Sequence, residues 1–202
     1  MRRRKQTTKT TKNRGQMRPL TLDQVGTLEA LLRQDGSDTA IRDLALLRVG
    51  IDSMLRSSDM VALTLRDICP NGVMASKLSV KPKKTANSSG KRVEVRLSAK
   101  TCASVSGFLA LQPEMQPDDR LFAITTRQHQ RIVKGWCELL KLDGTLYSTH
   151  SIRRTKASHL YAKTKNIEVV KRLLGHHDTT ATSAYLGVSD EDAHDLAEQF
   201  PI

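Results

Sequence analysis

The chain has 202 residues, 38% of them hydrophobic, and its 33 Lys+Arg against 21 Asp+Glu leave a formal net charge of +12. That length allows one sizeable core, or a domain with a tail. No apolar run approaches the roughly 18–20 residues of a membrane span and the first residues carry no apolar leader, which argues against a membrane or secreted protein.

Charge is concentrated at the start of the chain. Residues 1–18 hold Arg2, Arg3, Arg4, Lys5, Lys9, Lys12, Arg14 and Arg18 without one acid. A Thr/Lys/Arg stretch without periodicity cannot bury enough surface to fold alone, so a disordered tail is expected. It can neutralise the phosphates of DNA, be drawn equally to RNA or an anionic membrane, or stay solvated, since its charge alone identifies no partner. The cysteines, Cys69, Cys102 and Cys137, are scattered singly. They suit neither a disulfide framework nor a zinc site, and fit a reducing cytoplasm.

Folding is expected to begin at Leu20. Thr21-Leu22-Asp23-Gln24 reads as a capping box, with Leu20 and Val25 as its hydrophobic staple. Val25, Leu28 and Leu32 continue at helical spacing to a break at Gly36. A more apolar helix follows over about 38–53, with Ile41, Leu44, Ala45 and Leu47 pointing to burial on several sides. A short helix is expected over Ser57 to Leu65. The period then changes to alternation, at Leu78 and Val80 and again at Val93, Val95 and Leu97, around a basic stretch from Pro82 to Lys91. This reads as a β-hairpin with a long tip. Helices return over about 99–111, 126–141, 151–163, 166–173, 178–185 and 189–199. The expected class is mainly α with a small antiparallel β-sheet.

The chemistry-bearing residues crowd the last third. His150 and Arg153 stand three apart on an expected helix and so share a face. Ser148 or Thr149 can cap that helix, whose first amides favour an anion. Arg56 supplies a second guanidinium, and two such forks can grip one phosphate. His176, just after Gly175, can add a hydrogen bond. Lys84 in the hairpin tip can protonate a leaving oxygen, although Lys83 and Lys91 share the tip. Tyr185 is a nucleophile once its ionisation is assisted. The sequence offers no carboxylate cluster of the kind that holds Mg²⁺, so neither metal nor cofactor is expected. His129, His159 and His194 read as surface or packing residues, and His177 as a polar bystander.

Arg56, Lys84-Thr85, His150-Ser151-Ile152-Arg153, Leu174-Gly175-His176 and Tyr185, in this order, resemble the signature of the tyrosine recombinase (phage integrase) family. The resemblance spans about residues 18–188. It implies the catalytic-domain fold of that family and a DNA strand transferase acting through a 3′-phosphotyrosyl link. In that scheme Tyr185 attacks the scissile phosphate while Arg56 and Arg153 clamp it. His150 assists proton transfer, His176 bonds a phosphate oxygen, Lys84 protonates the 5′ oxygen, and Asp59 supports the first arginine. Partners implied are double-stranded DNA and further protomers, four acting on two duplexes.

Two departures from the family pattern stand out. Many members carry a glycine shortly before the first arginine, in a Thr-Gly-Leu-Arg run, where this chain has Ile51-Asp52-Ser53-Met54-Leu55-Arg56, and Asp52 and Ser53 can alter the turn that aims Arg56. No helical DNA-clamping domain precedes residue 18, so the chain reads as a fragment of a longer integrase or as a short recombinase like the fimbrial-switch invertases. Residues 19–188 are then the catalytic domain, and 189–202 a helix that docks on a neighbouring protomer or folds back on its own domain. A type IB topoisomerase and a silent DNA-binding regulator are the rival readings.

Overall fold

The structure, a computed structural model, describes residues 16–81, 92–176, 178–187 and 198. The hairpin tip with Lys83, Lys84 and Lys91 therefore lies outside the described residues, as do the basic run of residues 1–15, His177, and 189–202 apart from Glu198.

Local signals account for most helix starts. Thr21 caps α1 (Leu22–Asp35) through a capping box with Gln24, and Gly36 closes it in the left-handed region at φ 63°. Ser37 caps α2 (Asp38–Ser53), where Leu44, Ala45, Leu46, Leu47 and Val49 are all buried. This helix is the axis of the core, packed against α1, α5 and α7. Gly50 lets α7 come close, since a Cβ there would sit 2.9 Å from Ile152 Cγ2.

The expected single helix over Ser57 to Leu65 is instead two pieces, α3 (Ser57–Met60) and α4 (Leu65–Ile68). Thr64 breaks it. Its extended backbone pairs with Arg120, and it opens α4 with a capping box to Asp67. A 3-10 turn over Pro70–Gly72 leads to the hairpin. Strands β1 (Lys77–Val80) and β2 (Val93–Arg96) pair antiparallel, with buried Leu78 opposite buried Val95. Then come α5 (Ala99–Leu109), α6 (Thr126–Leu139), α7 (Thr149–Thr164), α8 (Ile167–Leu174) and α9 (Thr179–Leu186). The expected class, mainly α with a small antiparallel sheet, is what the structure has, the sheet being two-stranded among the described residues. Among the described residues, no helix is long and apolar enough to cross a membrane.

Two apolar clusters organise these elements. The larger joins α1, α2, α5 and α6 with Ile152 of α7. The smaller consists of Met54, Ala157, Val170 and Leu174, with Leu173, Tyr185 and Leu186 packed against it. Full burial of side chains such as Val170 or Leu174 contributes about 1.5–3 kcal/mol each. That small cluster is what fastens α8 and α9 to α7.

Candidate active site

The site is assembled from three chain reversals. The first is the end of α2, where Met54 takes φ 50°, a left-handed conformation that glycine adopts at less cost. Burial of its side chain in the smaller cluster offsets the strain. The reversal delivers Arg56 to the start of α3, where its carbonyl accepts from the amides of Asp59 at 2.9 Å and Met60 at 2.8 Å. Ser57, beside it, is held by His129 of α6, with Oγ 3.0 Å from Nδ1. His129 is thus a buried structural partner, and burial lowers its pKa to about 4.

The second reversal starts α7. Ser148, not Thr149, is the cap, accepting from the His150 amide at 3.1 Å while its own amide donates to Ser151 Oγ at 3.0 Å. His150 is exposed on the first turn and Arg153 is buried one turn later. Arg153 Nη2 donates to the Leu174 carbonyl at 3.0 Å, tying α7 to the end of α8. Burial works against the Arg153 charge, as does nearby Arg56, whereas Tyr185 and the buried Asp59 support it.

The third reversal is Gly175, at φ 66°, where an added Cβ would approach Val93 Cγ2 of β2 at 3.0 Å. It turns the chain so that His176 faces α9. His176 Nδ1 lies 3.1 Å from Thr182 Oγ1, and its ring meets Tyr185 edge-on at 5.4 Å between centroids. Desolvation and then the charges of Arg153 and Arg56 lower His176 to about 4. His150 is also depressed, by desolvation and by Arg153, Arg56 and Arg154. Because His150 keeps an exposed surface, the guanidinium charges are the sturdier cause.

Tyr185 lies between two arginines, with Arg153 Cζ 5.9 Å and Arg154 Cζ 5.3 Å from its ring centroid. Burial raises its pKa against the pull of Arg153, Arg154 and Arg56. Its phenolic oxygen is buried and has no well-formed hydrogen bond among the described residues, although the Arg153 guanidinium is close enough to favour the phenolate.

Five of the six sequence-derived candidates, Arg56, His150, Arg153, His176 and Tyr185, therefore share one electrostatic neighbourhood. Lys84 lies outside the described residues. Arg154 and Thr182, for which the sequence carried no expectation, join that neighbourhood, and His129, expected as a surface or packing residue, braces it from a buried position. Arg154 follows Arg153 directly, so helical geometry swings it away from the His150–Arg153 face; only the fold of α9 against α7 brings Tyr185 to it. Three guanidiniums and the His176 imidazole about a phenol, with His150 in the field of the same arginines, make a site for a tetrahedral anion beside an ionisable hydroxyl. Among the described residues no three His, Cys, Asp or Glu side chains are grouped as a metal ion would need.

Known proteins share this architecture. The tyrosine recombinase XerC of Caldanaerobacter subterraneus subsp. tengcongensis is 26% identical over 170 residues, covering 80% of this chain and 45% of that protein. The chain thus spans about half the length of the curated relatives it matches. Among solved structures, the XerH site-specific recombinase bound to its difH substrate superposes with a TM-score of 0.69 at 17% identity, covering 91% of this chain and 55% of that one. The catalytic domain of bacteriophage HP1 integrase gives 0.57 at 20% identity, covering 93% of this chain and 97% of that one. The sequence profile of the phage integrase family matches residues 18–192, and with the fold and residue order above it places this chain in the phage integrase family of tyrosine recombinases.

Proposed function

We propose that residues 19–188 form the catalytic domain of a site-specific DNA recombinase that breaks and rejoins strands through Tyr185. The observation that carries this reading is the phenol of Tyr185 set against Arg153 and within the field of Arg56, edge-on to His176. In the proposed reaction the Tyr185 oxygen bonds to the scissile phosphorus, and the bond to the 5′ oxygen breaks. His150 takes the phenolic proton, and Lys84 gives one to the departing oxygen. Arg56 and Arg153 offset the charge of the transition state, and His176 hydrogen-bonds a non-bridging oxygen. Asp59 supports the arginine pair. The phosphotyrosyl link keeps the energy of the broken diester, so attack by a 5′-hydroxyl reseals DNA without ATP, and no step calls for a metal.

Double-stranded DNA is the proposed substrate, in keeping with the Tn1549 transposon integrase structure in complex with transposon right end DNA, and several protomers are proposed to act together. Incubation with nicked duplexes tiled from the DNA flanking its gene tests the reading. A denaturing gel should show a covalent protein–DNA adduct that maps to Tyr185 and vanishes in Tyr185→Phe. An adduct that persists in Tyr185→Phe, or none across the pool, would contradict it.

A further inference from the structure

Tyr185 is covered by something the reaction does not use. Its oxygen is buried, so a phosphate approaching from solvent cannot meet it in line until a covering group moves. Over its ring lies Arg154, whose guanidinium is 5.3 Å from the ring centroid and which is itself buried. Arg154 is held in turn from outside the helical core. Its Nη2 donates to Gln16 Oε1 at 2.9 Å, and Gln16 Nε2 donates to the Ala184 carbonyl, one residue before the tyrosine.

Gln16 belongs to a strap crossing α7 on its way to α1. Arg18 donates its amide to the Leu146 carbonyl at 2.9 Å. The Leu20 amide donates to Thr155 Oγ1 at 3.1 Å, and the Leu20 carbonyl sits 3.1 Å from His159 Nε2. At the other end Gly187, at φ 75°, leaves room for Gln16; a Cβ there would be 3.0 Å from Gln16 Oε1. One exposed side chain therefore bridges the end of the nucleophile helix and the arginine lying over the nucleophile.

We propose that Gln16 and Arg154 are positioning residues that hold Tyr185 in a stowed position, and that lifting the Gln16 strap frees the phenol for attack. The proposal rests on the strand-breaking reading for its consequence, whereas its nitration test does not depend on that reading. Arg154 and Arg153 each lie over the ring and attract its face. Gln16 is the removable part. It is exposed, so its loss spares the core.

The experiment compares the full chain with Gln16→Ala and Gln16→Lys, the latter placing a like charge beside Arg154. Nitration by tetranitromethane without DNA, followed by peptide mass spectrometry, reads how accessible Tyr185 is; half-buried Tyr161 provides the internal reference. Losing the Gln16 hydrogen bonds should speed Tyr185 nitration relative to Tyr161 by about 3–10-fold, with Gln16→Lys at or above Gln16→Ala. Unfolding midpoints should stay unchanged, which a merely structural role would not allow. On the nicked duplexes, the initial rate of adduct formation should rise in the same order. Unchanged nitration ratios, or adducts forming no faster than in the parent chain, would overturn the stowing role while leaving the recombinase reading intact. Absence of adduct from all three proteins would overturn the recombinase reading, and the nitration ratios would still decide whether Gln16 covers Tyr185.

Discussion

The Nδ1 of His176 lies 3.1 Å from the buried hydroxyl of Thr182, which also sits 3.2 Å from the Asp178 carbonyl. A threonine hydroxyl has one proton to give. When it goes to Asp178, the oxygen accepts from Nδ1–H and leaves His176 Nε2 as a lone pair. When it goes to His176, Nε2 carries the proton and can donate to a phosphate. Thr182 thus governs which tautomer faces the site. Thr182→Val should shift the ¹⁵N signature of the His176 ring and slow adduct formation about 10-fold, roughly one lost hydrogen bond. An unchanged tautomer signal would refute this.

Asp52, part of the departure from the family pattern ahead of Arg56, ties three elements together. It accepts from Lys156 Nζ at 2.8 Å, Thr101 Oγ1 at 2.6 Å and the Ser98 amide at 2.8 Å. Burial raises its pKa, but these bonds outweigh that and hold it below the ordinary carboxylate value. Lys156 is partly exposed, so the ion pair itself contributes little. The cost of Asp52→Ala comes from the stranded hydroxyl and amide, about 2 kcal/mol of stability in denaturant unfolding. Loss below about 0.5 kcal/mol would show that water replaces the carboxylate.

Met54 makes an inverted prediction. Alanine there would lose the buried side chain and keep the left-handed strain, whereas glycine would lose the side chain and relieve the strain. Met54→Gly should therefore be less destabilising than Met54→Ala by about 1 kcal/mol. The opposite order in unfolding midpoints would mean that the reversal is not strained.

Buried His129 shapes the acid limb of stability. Its folded pKa of about 4 lies below the model-peptide value of 6.5. Between those values the unfolded chain binds a proton that the folded chain refuses, so stability is full above pH 6.5 and falls as pH drops towards 4. The loss is on the order of 3 kcal/mol for this one group. His129→Gln should reduce the slope of the unfolding free energy across that window, leaving the part that His176 and His150 contribute, and a slope identical to the parent chain's would reject the assignment.

Much of this was legible from residues because it is local. The cap at Thr21, the alternation around the hairpin, and the helix carrying His150 and Arg153 depend on neighbours within a few positions. The split at Thr64 escaped detection because apolar spacing runs through it, and a strand-like pairing with Arg120 overrides the helical preference. His129, expected at the surface or in packing, proved to be a packing residue, but its partner Ser57 is remote in sequence and was not legible.

The amino-acid order alone determined the class of fold, the family, and the types of group available for chemistry, since these follow from periodicity, capping and motif spacing. Only the tertiary structure decided what surrounds the phenol: which arginine covers it, which threonine orients the facing imidazole, and which carboxylate ties α2 to α7. Arg154 and Gln16 are 138 positions apart, and no short-range rule pairs them. Their meeting is set by how α7, α9 and the strap bury apolar surface together, a property of the packed chain as a whole.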